Sequence, residues 1–78
     1  MSVKMSEANL RPRMKAVLEF VREFRADHDY GPSIREIQRG CEFTSTAVTE
    51  YQLVKLQELN LIDRDPNIAR SIRLCSDR

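Results

Sequence analysis

Apolar residues recur at spacings of three and four through the first third of the chain: Leu10, Met14, Val17, Leu18, Val21 and Phe24, with Phe20 beside them. At the helical repeat these side chains share one face, so the pattern predicts a helix from Leu10 to about Asp27. Pro12 suits its first position, where a missing N–H costs nothing. Arg11, Arg13, Lys15, Glu19, Arg22, Glu23 and Arg25 take the outer side. These charges read as a solvated face, except Arg11 and Arg13, whose place at the helix start lets them reach a phosphate. Asp29-Tyr30-Gly31-Pro32 breaks the helix: Gly31 tolerates positive φ, and Pro32 pushes Gly31 out of the α region. Tyr30 is expected to pack against the next helix.

That helix opens at Ser33, three residues before Glu36, the spacing of a reciprocal capping box. Ile34, Ile37 and Cys41 are expected to face inward. After a non-periodic break at Glu42-Phe43, a new start at Thr44-Ser45 leads into a helix from about Thr46 to Leu59. Val48, Gln52, Leu53, Leu56 and Leu59 fall on one arc with Thr49 inside it, and Val48, Leu53, Leu56 and Leu59 are expected to complete a core. Ala47, Glu50, Tyr51 and Val54 follow i, i+3, i+4, i+7 on the opposite arc, an unusual stripe for a solvated face and a candidate contact surface. Two helices joined by a tight corner form a helix-turn-helix, whose second helix is the one offered to DNA.

Asn60 suits the left-handed position that ends a helix. Leu61–Asp65 and Arg70–Leu74 then alternate apolar and polar around a loop of hairpin length, 66–69. This predicts a small β-wing, with Ile62, Ile72 and Leu74 toward the helices and Arg64, Arg70 and Arg73 outside. The fold class is therefore mainly α with a β-wing, a three-helix winged helix-turn-helix over residues 10–74. Residues 1–9 read as a flexible tail and residues 75–78 as a loose one.

Composition narrows the function classes. Seventy-eight residues make one domain, and no apolar run approaches a membrane span. Cys41, Cys75 and the lone His28 carry no metal spacing, which points to reduced, structural cysteines. Thirteen basic and 12 acidic side chains leave a net charge of +1. Residues 1–30 carry six basic and five acidic groups, residues 31–60 three and four, and residues 61–78 four and three. The helix-turn-helix is thus the least basic segment, so phosphate contacts must come mostly from arginines outside it.

Pro32-Ser33-Ile34-Arg35-Glu36-Ile37, Phe43-Thr44-Ser45, Val48, Leu53, Leu56, Leu61-Ile62 and Ala69-Arg70-Ser71-Ile72-Arg73-Leu74 closely resemble the N-terminal DNA-binding domain of LexA-type (SOS) repressors. The match covers roughly residues 10–74. The resemblance implies a winged helix that reads a short palindromic operator through its recognition helix, with the wing along the duplex. Carried over by position, the base-reading residues are Ser45, Ala47, Val48, Glu50 and Tyr51. Family members often have Asn where Ala47 stands, a turn Gly where Glu42 stands, and Gly where Asn60 stands. The resemblance further implies a bacterial or phage-type, cytoplasmic, nucleoid-associated transcription regulator. LexA-type repressors also carry a C-terminal domain with a Ser–Lys dyad, which this chain, ending at Arg78, leaves no segment to form. The sequence fits a stand-alone regulator or one domain of a longer protein.

Residue chemistry supports major-groove readout. Glu50 can accept from a cytosine amino group, Ser45 can bond a base or phosphate, and Ala47 or Val54 can touch a thymine methyl. The start of the third helix near Thr46 offers backbone donors to a phosphate. Arg35, Arg39, Lys55, Arg64, Arg70 and Arg73 are the other phosphate candidates. Double-stranded DNA is the expected partner, with a homodimer on a palindrome. No cofactor, metal or small-molecule ligand is expected, and without a Gly-rich phosphate loop or a nucleophile–base pair an enzyme is not. The competing reading is a protein-binding winged helix that uses the Ala47/Tyr51/Val54 face, which the near-neutral charge favours.

Overall fold

The computed structural model describes residues 11–65 and 67–75. The expectations for residues 1–9 and 76–78, and for Leu10 and Pro66, lie outside the described residues. Three helices lead into one hairpin: α1 Pro12–Asp27, α2 Ile34–Gly40, α3 Thr46–Glu58, β1 Ile62–Asp63 and β2 Arg73–Leu74. This is the winged helix-turn-helix read from the pattern. Pro12 does stand at the start of α1.

The caps locate the helix-turn-helix. The Ser33 hydroxyl accepts from the Glu36 N–H at 3.1 Å, and the Glu36 carboxylate accepts from the Ser33 N–H at 2.8 Å. Ser45 caps α3, its hydroxyl accepting from the Val48 N–H at 3.2 Å. Between α2 and α3 the chain turns through Glu42, at a φ of 60°. Asn60 ends α3 at a φ of 61°, the left-handed conformation expected of it.

Val17, Leu18 and Val21 from α1, Ile37 from α2, Leu53 and Leu56 from α3, and Leu61, Ile62 and Ile72 from the wing form the buried core. Met14, Phe20, Ile34, Cys41, Phe43, Leu59 and Leu74 pack around it. Burying one such large side chain contributes about 1.5–3 kcal/mol, against about 0.2–1 kcal/mol for an exposed ion pair. The apolar core therefore decides the fold, and the ion pairs described below decide finer geometry.

Four expectations change. Val48 is half-buried and outside the core; fully buried Thr49 takes the inward position, its hydroxyl donating to the Ser45 carbonyl at 3.1 Å. The ring partners of Tyr30 come from the end of α1 and from the wing: it meets Phe24 edge-on at 5.8 Å, His28 at 5.3 Å, and the Arg70 guanidinium at 4.9 Å. Gly31 has no positive φ. It is glycine for want of space, because a Cβ there would lie 2.0 Å from the Ile72 carbonyl oxygen. The Gly31 N–H also donates to the Arg70 carbonyl at 3.2 Å, so the α1–α2 connection and the wing lie backbone against backbone.

The fourth change is the length of the strands. Only Ile62↔Leu74 and Asp63↔Arg73 pair, antiparallel. Beyond them Ser71 takes over with its side chain, accepting from the Asp65 N–H at 2.8 Å and donating to the Asp65 carbonyl at 2.9 Å. Arg70 at a φ of 60° bends the returning strand. The Asp65 carboxylate accepts from the Asn67 N–H at 2.9 Å and closes the loop as an Asx-turn. At the strand's far end the Cys75 N–H donates to the Leu61 carbonyl at 3.0 Å.

Candidate nucleic-acid interface

Among the described residues, none covers the outer face of α3. Ala47, Tyr51 and Val54 are exposed there, Tyr51 by 57% and Val54 by 42%. Thr46 is exposed at the helix start and Ser45 is half-buried as its cap. The Thr46 and Ala47 N–H groups lie in the first turn, where no helical carbonyl precedes them to accept. Because the Ser45 oxygen serves the cap as an acceptor, its own hydrogen remains available to a base or phosphate. Val48, half-buried, sits at the edge of this surface.

Glu50 belongs to the same face but is not alone. Arg64 of the wing reaches back and donates from Nη2 to Glu50 Oε1 at 3.0 Å and from Nε to Gln57 Oε1 at 3.0 Å. The Arg64 side chain is only 17% exposed. The wing's alternation predicts it outside; instead it bridges two residues of α3.

The other wing arginines are also engaged. Arg70 forks onto both Glu36 oxygens at 2.9 and 3.2 Å while it lies over the Tyr30 ring. Those bonds and the Ser33 N–H hold the Glu36 carboxyl at about 2, below its ordinary 4.5. Arg73 pairs with Asp63 at 2.8 Å across the hairpin. Lys55 lies 5.7 Å above the Tyr51 ring and 3.7 Å from Glu58.

Four arginines carry no such partner among the described residues. Arg11 and Arg13 stand at the start of α1, where with Met14, Tyr51, Lys55 and Leu59 they border a groove against the outer flank of α3. Arg35 and Arg39 are exposed on α2, and Arg35 borders the cleft between α2 and the wing loop. On one flank the exposed face of α3 thus meets the start of α1 with its unpaired Arg11 and Arg13, and on another the wing through Arg64, while Arg35 and Arg39 stand on α2.

Two residues of this arrangement carried no signal in the sequence. Gln57 is an acceptor for Arg64, and Arg25, read as part of a solvated face, donates to the Ile72 carbonyl at 3.3 Å. Both interactions join positions far apart in the chain or on different elements, which periodicity does not register. Burial raises the Cys41 thiol above its ordinary value. Among the described residues no group of three or more His, Cys, Asp or Glu side chains could hold a metal ion. Nor is any described helix long and apolar enough to cross a membrane.

The family model of the LexA DNA binding domain matches residues 7–71. The chain belongs to the LexA DNA-binding domain family. It is 44% identical over 69 residues to a LexA repressor of Roseiflexus sp. (strain RS-1), a match covering 88% of this chain and 32% of the relative. A LexA repressor of Brevibacillus brevis is 37% identical over 70 residues, covering 90% of this chain and 34% of that protein. LexA repressor 2 of Pseudomonas putida is 38% identical over 65 residues, covering 83% and 32%. The chain thus spans about a third of the length of the curated relatives it matches. Membership in the LexA family makes this a DNA-binding domain.

Proposed function

We propose that this domain binds double-stranded DNA sequence-specifically with α3 in the major groove, as the operator-reading part of a LexA-like transcriptional repressor. The observation that carries the reading is the exposed α3 face of Ala47, Tyr51 and Val54, with unpaired Arg11 and Arg13 bordering the groove along its flank. Ser45, Ala47, Val48, Glu50, Tyr51 and Val54 are the base-facing set. Ala47 and Val54 suit thymine methyls, and Glu50 suits a cytosine amino group.

The phosphate set is redistributed from the wing to the helices. Arg11, Arg13, Arg35 and Arg39 take it, with the first-turn amides at Thr46. Lys55 and Arg73 can join by exchanging a carboxylate for a phosphate, because exposed ion pairs contribute little. Arg70 is held by a two-bond fork. The domain acts by binding, not by catalysis, and its place is with the DNA of a bacterial or phage system.

One module buries only about 600–1,000 Å² on DNA. High affinity therefore requires two copies on a palindrome, with half-sites about one helical turn apart. Four phosphate-neutralising arginines predict a slope of log K against log salt near about −4 per domain.

Selection of duplexes from a random double-stranded pool by the purified chain at low salt tests this. A palindrome, or a single enriched half-site, supports the reading. No enrichment overturns it and returns the Ala47/Tyr51/Val54 stripe to a protein interface. Arg11→Ala with Arg13→Ala should weaken binding uniformly across sequences and make the salt slope shallower by about two.

A further inference from the structure

The wing residue Arg64 occupies a different position from the other arginines. It is largely buried, points away from the wing's outer side, and spends two donors on two acceptors of α3, Glu50 and Gln57. A phosphate ligand must present its guanidinium outward, and this one does not. Glu50, its partner, stands on the α3 face proposed to enter the major groove.

A carboxylate in that groove meets the negative potential of the phosphates on either side. It also has several rotamers, most of which place its oxygens away from a base edge. The Arg64 bond addresses both problems. It sets a positive charge 3.0 Å from the carboxylate, and it fixes Oε1, leaving Oε2 as the oxygen with no bond among the described residues. Gln57, about two turns further along α3, fixes the guanidinium in turn through Nε. A lysine could supply the charge but not both bonds, since it lacks the planar fork.

We propose that Arg64 is a positioning residue for base discrimination: through Glu50 it sets which base is accepted at one operator position, and it does not bind a phosphate. The inference rests on the proposed reading of DNA by α3. It predicts that the wing contributes to specificity from behind the recognition helix.

The test measures binding of the purified chain to its selected operator and to the three single-base variants at each position. The chains compared are wild type, Glu50→Ala, Arg64→Met, Arg64→Lys and the double variant Glu50→Ala/Arg64→Met. Circular dichroism and thermal unfolding confirm that each is folded. Wild type should discriminate at one position by about 5- to 150-fold, the range of a good base contact, and Glu50→Ala should remove that preference. Arg64→Met should relax the same position and leave others unchanged, with the salt slope as in wild type. In the Glu50→Ala background it should have no further effect there. Arg64→Lys should retain affinity but lose part of the preference, and it keeps the test informative should Arg64→Met not fold.

A uniform loss with Arg64→Met and a salt slope shallower by about one, or full base preference retained in Arg64→Lys, would point to a role of the charge alone and overturn the inference while α3 readout stands. Preference unchanged in Glu50→Ala would overturn it as well, with other α3 residues still reading DNA. Absence of any base preference in wild type would remove the reading on which it rests.

Discussion

Arg70 closes a two-bond fork on Glu36, 34 residues earlier in the chain, at 2.9 and 3.2 Å. The same carboxylate completes the capping box of α2 through the Ser33 N–H. One side chain thus starts a helix of the helix-turn-helix and holds the wing against it.

Acid should release this link late. The Glu36 carboxyl sits at about 2 in the folded domain, below its ordinary 4.5. A depressed carboxyl stabilises the fold fully above the ordinary value, and that contribution is lost as pH falls toward the folded one. Wild type should exceed Glu36→Gln in stability by roughly 1 kcal/mol at neutral pH, the upper range for a half-exposed pair. The gap should narrow below about pH 4.5 and vanish near pH 2. Thermal unfolding of both chains across this range checks it, with roughly 4–8 °C expected per kcal/mol in a domain of this size. A gap independent of pH would contradict the assignment.

Gly31 should tolerate no side chain. The Cβ of Gly31→Ala would sit 2.0 Å from a backbone carbonyl, so α1–α2 and the wing must separate. We expect a loss of about 3 kcal/mol or more, at the upper end for overpacking. Gly40→Ala meets the Phe20 ring at 2.2 Å, but a half-buried side chain can move, and alanine favours the helix. Its cost should be smaller. Equal losses in denaturant titrations of the two would refute this ordering.

Glu42→Gly should stabilise the domain. Glu42 holds a left-handed φ of 60°, which costs an L-residue about 1–2 kcal/mol. Glycine removes that strain but gives back about 0.4–1 kcal/mol through the unfolded chain, so the net gain is about 0.5–1 kcal/mol. Asn60→Gly, at a φ of 61°, should gain less, because asparagine already tolerates this conformation. Urea midpoints of the two variants decide it.

Tyr30→Leu should loosen the wing more than the helices. The ring supports Arg70 at 4.9 Å and packs on Phe24 and His28. Amide exchange should speed up at Gly31, whose N–H is bonded to the Arg70 carbonyl, while the core of α3 keeps its protection. Uniform acceleration across the domain would show that Tyr30 belongs to the global core instead.

The helices were legible because each carries its own local signature. Pro12 opens α1, the Ser33–Glu36 pair opens α2, Ser45 opens α3, and Asn60 follows its end. The stripe of Ala47, Tyr51 and Val54 was equally readable, since helical spacing alone puts those residues on one arc. The arginine partners were not. Arg64 and Glu50 are 14 positions apart, Arg70 and Glu36 34, and Arg25 and Ile72 47, and no periodic pattern relates them. Alternation that persists through Ser71 predicts longer strands, but a hydroxyl that satisfies both backbone groups of Asp65 replaces the ladder there. Local sequence suggests only backbone freedom at Gly31, whereas the carbonyl that excludes a side chain comes from the wing.

A hairpin with two paired positions has little stiffness of its own. Arg25 from α1 holds it at the Ile72 carbonyl, Glu36 of α2 holds it through Arg70, and Glu50 of α3 holds it through Arg64. Buried Ile62 and Ile72 and the Gly31–Arg70 backbone bond seat the wing on the core, and these three polar supports restrict how it can tilt from that seat. A duplex that bends beneath the wing would strain a support on every helix at once.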